Sequence, residues 1–217
     1  MAKYNLESLN SFLENGEEDG ISGFIFETVE TDFDITPNEF LNFAKHDFTA
    51  KYDHHLVNSL SNVKRAIDSQ LDSLLFGFGL SERAKKWNFP TKIDFLNSIG
   101  VVSPGILKKI NTKRNLLEHE YRNPTEEEVE DALDVAELFI KYTDKYLIRA
   151  LKFCDVFSRG EGYITITLDW ENCKITSTYR IYEDDKFKKT VTEELTNASQ
   201  KEYGDYLKFY LKLYNYL

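Results

Sequence analysis

The sequence predicts an α+β protein: a helical bundle over residues 36–153, then a small antiparallel β-sheet and a C-terminal helix. Three observations carry that expectation. Apolar residues recur at three- and four-residue spacing as far as about residue 153, the period drops to two past residue 157, and a helical stripe returns at 203–214. Taking the elements in order, Thr36-Pro37-Asn38-Glu39 is a capping box with proline at the first helical position, where its missing donor costs nothing. The helix it opens continues through Phe40, Phe43, Ala44 and Phe48. Leu56, Leu60, Val63, Ile67, Leu71, Leu74 and Leu75 put one stripe of a helix over 53–76 into a core, and Gly77 and Gly79 end it. A short helix over 90–99 stops at Gly100. Ser103-Pro104 opens another, which runs to about Tyr121 before Asn123-Pro124 breaks it.

Thr125-Glu126-Glu127-Glu128 is a second capping box, and its acids suit the positive end of the helix dipole. Val129, Leu133, Ala136, Phe139, Ile140, Tyr146 and Leu147 then hold helical period to about residue 153. Beyond 157, Ile164, Ile166 and Leu168 alternate with Tyr163, Thr165 and Thr167. After the turn Asp169-Trp170-Glu171-Asn172, the run Cys173, Ile175, Ser177, Tyr179, Ile181 alternates too, which predicts a β-hairpin. A third strand is expected near 187–191. A lone hairpin is unstable in water, so it needs a further strand, for which 23–30 is the candidate, or the closing helix over it. That helix has the stripe Tyr203, Tyr206, Leu207, Tyr210, Leu211 and Tyr214, a spacing that suits packing. The chain therefore divides into an acidic segment with one strand (1–35), the bundle (36–153), and the hairpin or small sheet with its helix (154–217).

Composition excludes several classes. In 217 residues, 41% hydrophobic and 14% aromatic content rule out disorder as the main state. The longest apolar runs, such as 74–80, are too short to span a bilayer. Met1-Ala2-Lys3-Tyr4-Asn5 leads into polar sequence with no apolar signal core. Cys154 and Cys173 make neither a disulfide framework nor a metal spacing. A cytoplasmic protein with no membrane partner and no cofactor is expected. The net charge of −10 opposes nonspecific binding to a polyanion, and DNA is not an expected partner. The charge is uneven, however. Residues 1–50 hold 2 basic and 11 acidic side chains, 101–122 hold five basic and two acidic, and 123–137 hold seven acids and no base. Ordinary helix-surface charge explains the basic element at 83–122 as readily as a polyanion site does.

The most informative segment is Arg114-Asn115-Leu116-Leu117-Glu118-His119-Glu120-Tyr121. Its Arg-x4-His-x-Tyr pattern, with a polar residue after the arginine, resembles the HEPN superfamily, and in particular the toxins of HEPN/MNT toxin–antitoxin pairs. The resemblance covers roughly residues 36–153. It implies a homodimeric helical bundle and metal-independent RNA cleavage, with Arg114 and His119 catalytic and Asn115 supporting. It also implies Tyr121 as a modification site or site neighbour, and a nucleotidyltransferase-type antitoxin as partner. Lys108, Lys113 and Arg122 are then candidate RNA contacts. The residue types suit the chemistry. Attack by a ribose 2′-hydroxyl needs proton transfer near neutral pH, which histidine supplies, and a planar cation over the phosphate, which arginine supplies. On a straight helix His119 lies about 140° around the axis from Arg114, so the two converge only if the helix bends or a second subunit supplies one of them. The ordinary readings are a snorkelling or Glu118-paired Arg114 and a surface His119. The alternative function is a non-catalytic HEPN-like module that binds a partner protein or a nucleotide. His54-His55 reads as a surface pair, since adjacent helical residues diverge.

Overall fold

A computed structural model describes residues 20–103, 105, 107–108, 123–158, 162–183, 186–196 and 200–216. The described residues open with strand β1 (Gly20–Glu27), and helices follow: α1 (Pro37–Ala50), α2 (His55–Gly77), the single turn α3 (Ser81–Ala84), α4 (Phe89–Ser98), α5 (Glu126–Thr143) and the single turn α6 (Lys145–Ile148). Strands β2 (Ala150–Ser158), β3 (Gly162–Asp169), β4 (Lys174–Glu183) and β5 (Lys186–Thr196) follow, and α7 (Gln200–Tyr216) closes the chain. Gly105, Leu107 and Lys108 are helical.

Local chemistry explains most boundaries. Both capping boxes form: the Thr36 hydroxyl accepts from Glu39 N and the Thr125 hydroxyl from Glu128 N, and each glutamate returns a bond to its cap's backbone N–H. Helix α2 ends in a Schellman turn, with Leu80 N–H donating to Leu75 O (2.8 Å) and Gly79 N–H to Phe76 O (2.8 Å). Gly79 supplies the required left-handed residue at φ +70°. Helix α1 buries Leu41 and Ala44, whereas Phe43 is 47% exposed.

The sheet is antiparallel with strand order β1-β2-β3-β4-β5. Its covered face is built from laterally paired rows, Val156–Ile164–Tyr179, Cys154–Ile166–Ser177 and Leu168–Ile175, all buried. Ile181 continues the alternation in sequence. Strand β1 starts three residues before the expected 23–30 and pairs with β2. The helical stretch expected to reach 153 instead stops at Ile148, and Ala150 begins β2. Between Ile25↔Phe153 and Phe26↔Leu151 the register shifts, which leaves Lys152 as an extra residue. That bulge spaces the inward residues Leu151 and Cys154 by three, and a strand then imitates a helical stripe.

The α+β class stands, but the expected arrangement of a HEPN-like helical bundle followed by a sheet does not. Among the described residues no separate bundle is formed. The helices are threaded between β1 and β2, the sheet lies in the midst of the chain, and helices and sheet share one hydrophobic core. The physical reason is that α2 and α7 are apolar over too wide an arc to be satisfied by helix neighbours alone. On α7, Tyr203, Leu207, Phe209, Tyr210, Leu211 and Leu213 are all buried. The Tyr203 hydroxyl donates to Phe78 O at the end of α2 (2.9 Å), and the Tyr210 hydroxyl donates to Leu151 O on the sheet. Phe76 meets Trp170 of the β3–β4 turn at a centroid distance of 5.2 Å. Burial pushes the Tyr203 and Tyr210 hydroxyls far above the ordinary tyrosine range. Among the described residues no helix is long and apolar enough to cross a membrane.

Two predictions arise from this core. The Ser177 hydroxyl is buried on β4 without a hydrogen-bond partner. Ser177→Ala removes a desolvated polar atom, and thermal melting should show a gain of about 1 kcal/mol. Glu137 on α5 accepts from Lys141 (2.5 Å) and from Lys45 of α1 (2.5 Å), which hold its carboxyl at about 2 against an ordinary 4.5. A depressed carboxyl stabilises the fold above its unfolded pKa, and that contribution drains away as pH falls from 4.5 towards 2. Melting temperature against pH should therefore fall less steeply through this window in Glu137→Gln.

Candidate functional site

Helix α5 buries Val129, Leu133, Ala136 and Ile140 and leaves a second apolar line, Val135, Leu138 and Tyr142, outside that stripe. Leu138 is 69% and Tyr142 58% exposed. The chain segment after α4 faces them. It leaves α4 through Gly100 at φ +86°, with Val101 N–H returning to Leu96 O (2.9 Å), and passes through Val102 and Ser103 to Leu107. Between these two walls lies a cavity of about 590 Å³, within the range of small-molecule and cofactor sites. Its lining is mainly aliphatic and aromatic, with Asn97 and Ser103 as polar groups. A flat, partly apolar ligand with a few hydrogen-bonding edges, such as a nucleobase, matches that lining.

One end of the cavity leads to a cluster of rings and cations. Tyr142 lines the cavity and also faces Lys145, whose ammonium lies 4.7 Å from the Tyr142 ring centroid, 4.8 Å from Tyr146 and 5.8 Å from Tyr214. Tyr214 meets Phe26 of β1 at 6.0 Å, and the Arg149 guanidinium covers Phe26 at 4.5 Å. Cation–π attraction and the backbone hold this group together: Tyr214 donates to Lys145 O (2.9 Å). Burial, reinforced by its tyrosine neighbours, pushes the Tyr146 hydroxyl to about 12, so it stays protonated.

Of the residues singled out in the sequence, Lys108 is described, and its ammonium pairs with Asp94 at 2.7 Å. Arg114, Asn115, His119, Tyr121, Lys113 and Arg122 lie outside the described residues. In sequence, Leu107 on the cavity wall precedes Arg114 by seven positions. His55 Nδ1 sits 2.8 Å from Tyr52 O, and among the described residues no group of three metal-ligating side chains comes together. Cys154 is buried on β2, where desolvation raises its thiol to about 11, an inert state.

Sequence reasoning did not find Tyr142, Lys145 and Arg149 as a set. The available signal was a switch along residues 126–149, from seven acids and no base before 138 to Lys141, Lys145 and Arg149 against the single acid Asp144 after it. Comparison with family models, with curated proteins and with solved structures finds no match to this chain.

Proposed function

We propose that the chain is a HEPN-like, metal-independent endoribonuclease that acts as a homodimer. The observation that carries this reading is the Arg114-Asn115-x3-His119-x-Tyr121 pattern. The cavity supports it, being of a size and lining suited to a base, with a wall that belongs to the chain segment leading into the motif. In the reaction His119 takes the proton of a ribose 2′-hydroxyl as that oxygen attacks phosphorus. Arg114 stabilises the charge on the non-bridging oxygens, and the bond to the 5′-oxygen breaks as that oxygen takes a proton from water, the proton held by His119 then passing to solvent. The products are a 2′,3′-cyclic phosphate and a 5′-hydroxyl. Asn115 orients one of the two side chains.

Tyr121 lies about 20° around a straight helix from Arg114. It stands two turns further on, and the resemblance to the HEPN toxins implies that an antitoxin attaches a bulky anion to its hydroxyl, which would crowd the cleft and inhibit. Tyr121→Phe keeps cleavage and escapes that inhibition. The second reading, a non-catalytic module that binds a nucleotide, shares the cavity and differs only in lacking turnover.

On a straight helix Arg114 and His119 would diverge by about 140°, so they converge only through a bend or through a second subunit. In the proposed site the second holds, and one of the pair comes from each subunit. Arg114→Ala and His119→Ala should each be inactive alone. When the two are mixed and allowed to exchange subunits, the hybrid dimer holds one intact Arg114–His119 combination, and cleavage should return. Mixtures that stay inactive beside an active wild type count against the shared site. Arg114→Lys should also lose most activity, because an ammonium keeps the charge without the two-pronged geometry.

A further inference from the structure

The cavity's ring-and-cation end has a feature that packing alone does not require. In a chain with 37 acidic and 27 basic side chains, described lysines such as Lys45, Lys92 and Lys152 reach a carboxylate. Lys145 and Arg149 instead lie over aromatic rings, and among the described residues neither has a carboxylate partner. Lys145 opens α6 and Arg149 follows its last residue, and the two cations are joined through the Tyr214 and Phe26 rings, with exposed Tyr142 beside Lys145. An exposed ring, Tyr142, beside cations that meet no carboxylate among the described residues fits the pattern that tracks a single-stranded nucleic acid, in which bases stack on rings while cations meet phosphates.

We propose that Tyr142, Lys145, Arg149 and Phe26 form a track for single-stranded RNA continuous with the cavity, so that one base occupies the cavity and the neighbouring nucleotides lie along the track. RNA as the ligand rests on the functional reading above. The geometry of the track does not. Tyr142 is the hinge of the arrangement, since it lines the cavity and contacts Lys145. Arg149 supplies the cation that meets phosphate, and in the free protein its guanidinium rests over Phe26.

The test is binding by fluorescence anisotropy of a labelled single-stranded RNA of about eight nucleotides, within the site sizes such surfaces take. It uses the full chain carrying His119→Ala, so that no RNA is cut. Tyr142→Ala and Arg149→Met are added singly. Arg149→Met keeps an unbranched apolar side chain beside Phe26 and removes the guanidinium with its charge. Tyr163→Ala, on the sheet face away from the helices, is the reference. Each track variant should weaken binding about tenfold, the reference should leave it unchanged, and Arg149→Met should lower the slope of log affinity against log salt by about 0.7. Unchanged melting temperatures confirm that the variants fold.

Equal affinity and equal salt slope in both track variants overturn the proposal, as does a loss confined to Tyr163→Ala. A shift from dimer to monomer in Tyr142→Ala with RNA affinity intact also overturns it, and makes this surface a subunit contact. The same RNA is incubated with the protein that retains His119. Binding through the track without any cleavage rejects the ribonuclease reading alone, and cleavage with track variants that bind normally rejects the track alone.

Discussion

Ile166→Asp should leave no folded protein at 37 °C. Ile166 is 2% exposed on β3, the middle strand, and lies between Cys154 of β2 and Ser177 of β4. An aspartate there forfeits the isoleucine's burial and places a carboxylate on the buried face of the sheet, between Cys154 and Ser177. The Ser177 hydroxyl beside it exchanges one hydrogen bond with a carboxyl group but cannot neutralise its charge. The combined cost is above about 4 kcal/mol, a large part of the 5–15 kcal/mol that a domain commands. Far-ultraviolet circular dichroism and soluble yield read the outcome. Ile166→Val keeps the shape and should cost about 1 kcal/mol, which lowers the melting temperature by only about 2–4 °C. A soluble, cooperatively melting Ile166→Asp protein would mean that β3 is not buried.

Gly79→Ala is the second substitution with a large expected effect. At φ +70° any Cβ is strained, and this one meets the Tyr203 hydroxyl oxygen at 2.8 Å and the Cys173 Cα at 3.0 Å. Tyr203 cannot retreat without breaking its bond to Phe78 O, and Cys173 is backbone. Left-handed strain of about 1–2 kcal/mol adds to a steric cost of about 1–3 kcal/mol. The loss should fall on the joint of α2, α7 and the β3–β4 turn, and hydrogen exchange of α7 amides should rise with it. Gly105→Ala, whose added Cβ meets nothing within 4 Å, is the matched control.

These two sites show which parts of the fold the sequence carried. The hairpin was legible because alternation across Tyr163–Leu168 and Cys173–Ile181 has no helical equivalent. Both capped helix starts were legible because Thr, Pro and Glu at those offsets have a single local use. The end of the α5–α6 helices was not legible, because the bulge at Lys152 gives Leu147, Leu151 and Cys154 the spacing of a helical stripe. The single shared core was not legible either. A tyrosine stripe on α7 states that the helix is buried, but it does not say that Tyr203 anchors to α2 while Tyr210 anchors to the sheet. The same limit hid the ring-and-cation track, since Phe26 and Tyr214 join Lys145 and Arg149 only through chain folding.

The ribonuclease reading is tested most directly by the initial rate of RNA cleavage with a chelator present, wild type against His119→Ala, on RNAs of varied sequence. Wild type should cut and leave 2′,3′-cyclic phosphate ends. His119→Ala should fall by about 10²–10⁴-fold at an unchanged melting temperature, the loss expected when a general base is removed. Uncut RNA with a folded wild-type dimer, or equal rates for the two proteins, contradicts it.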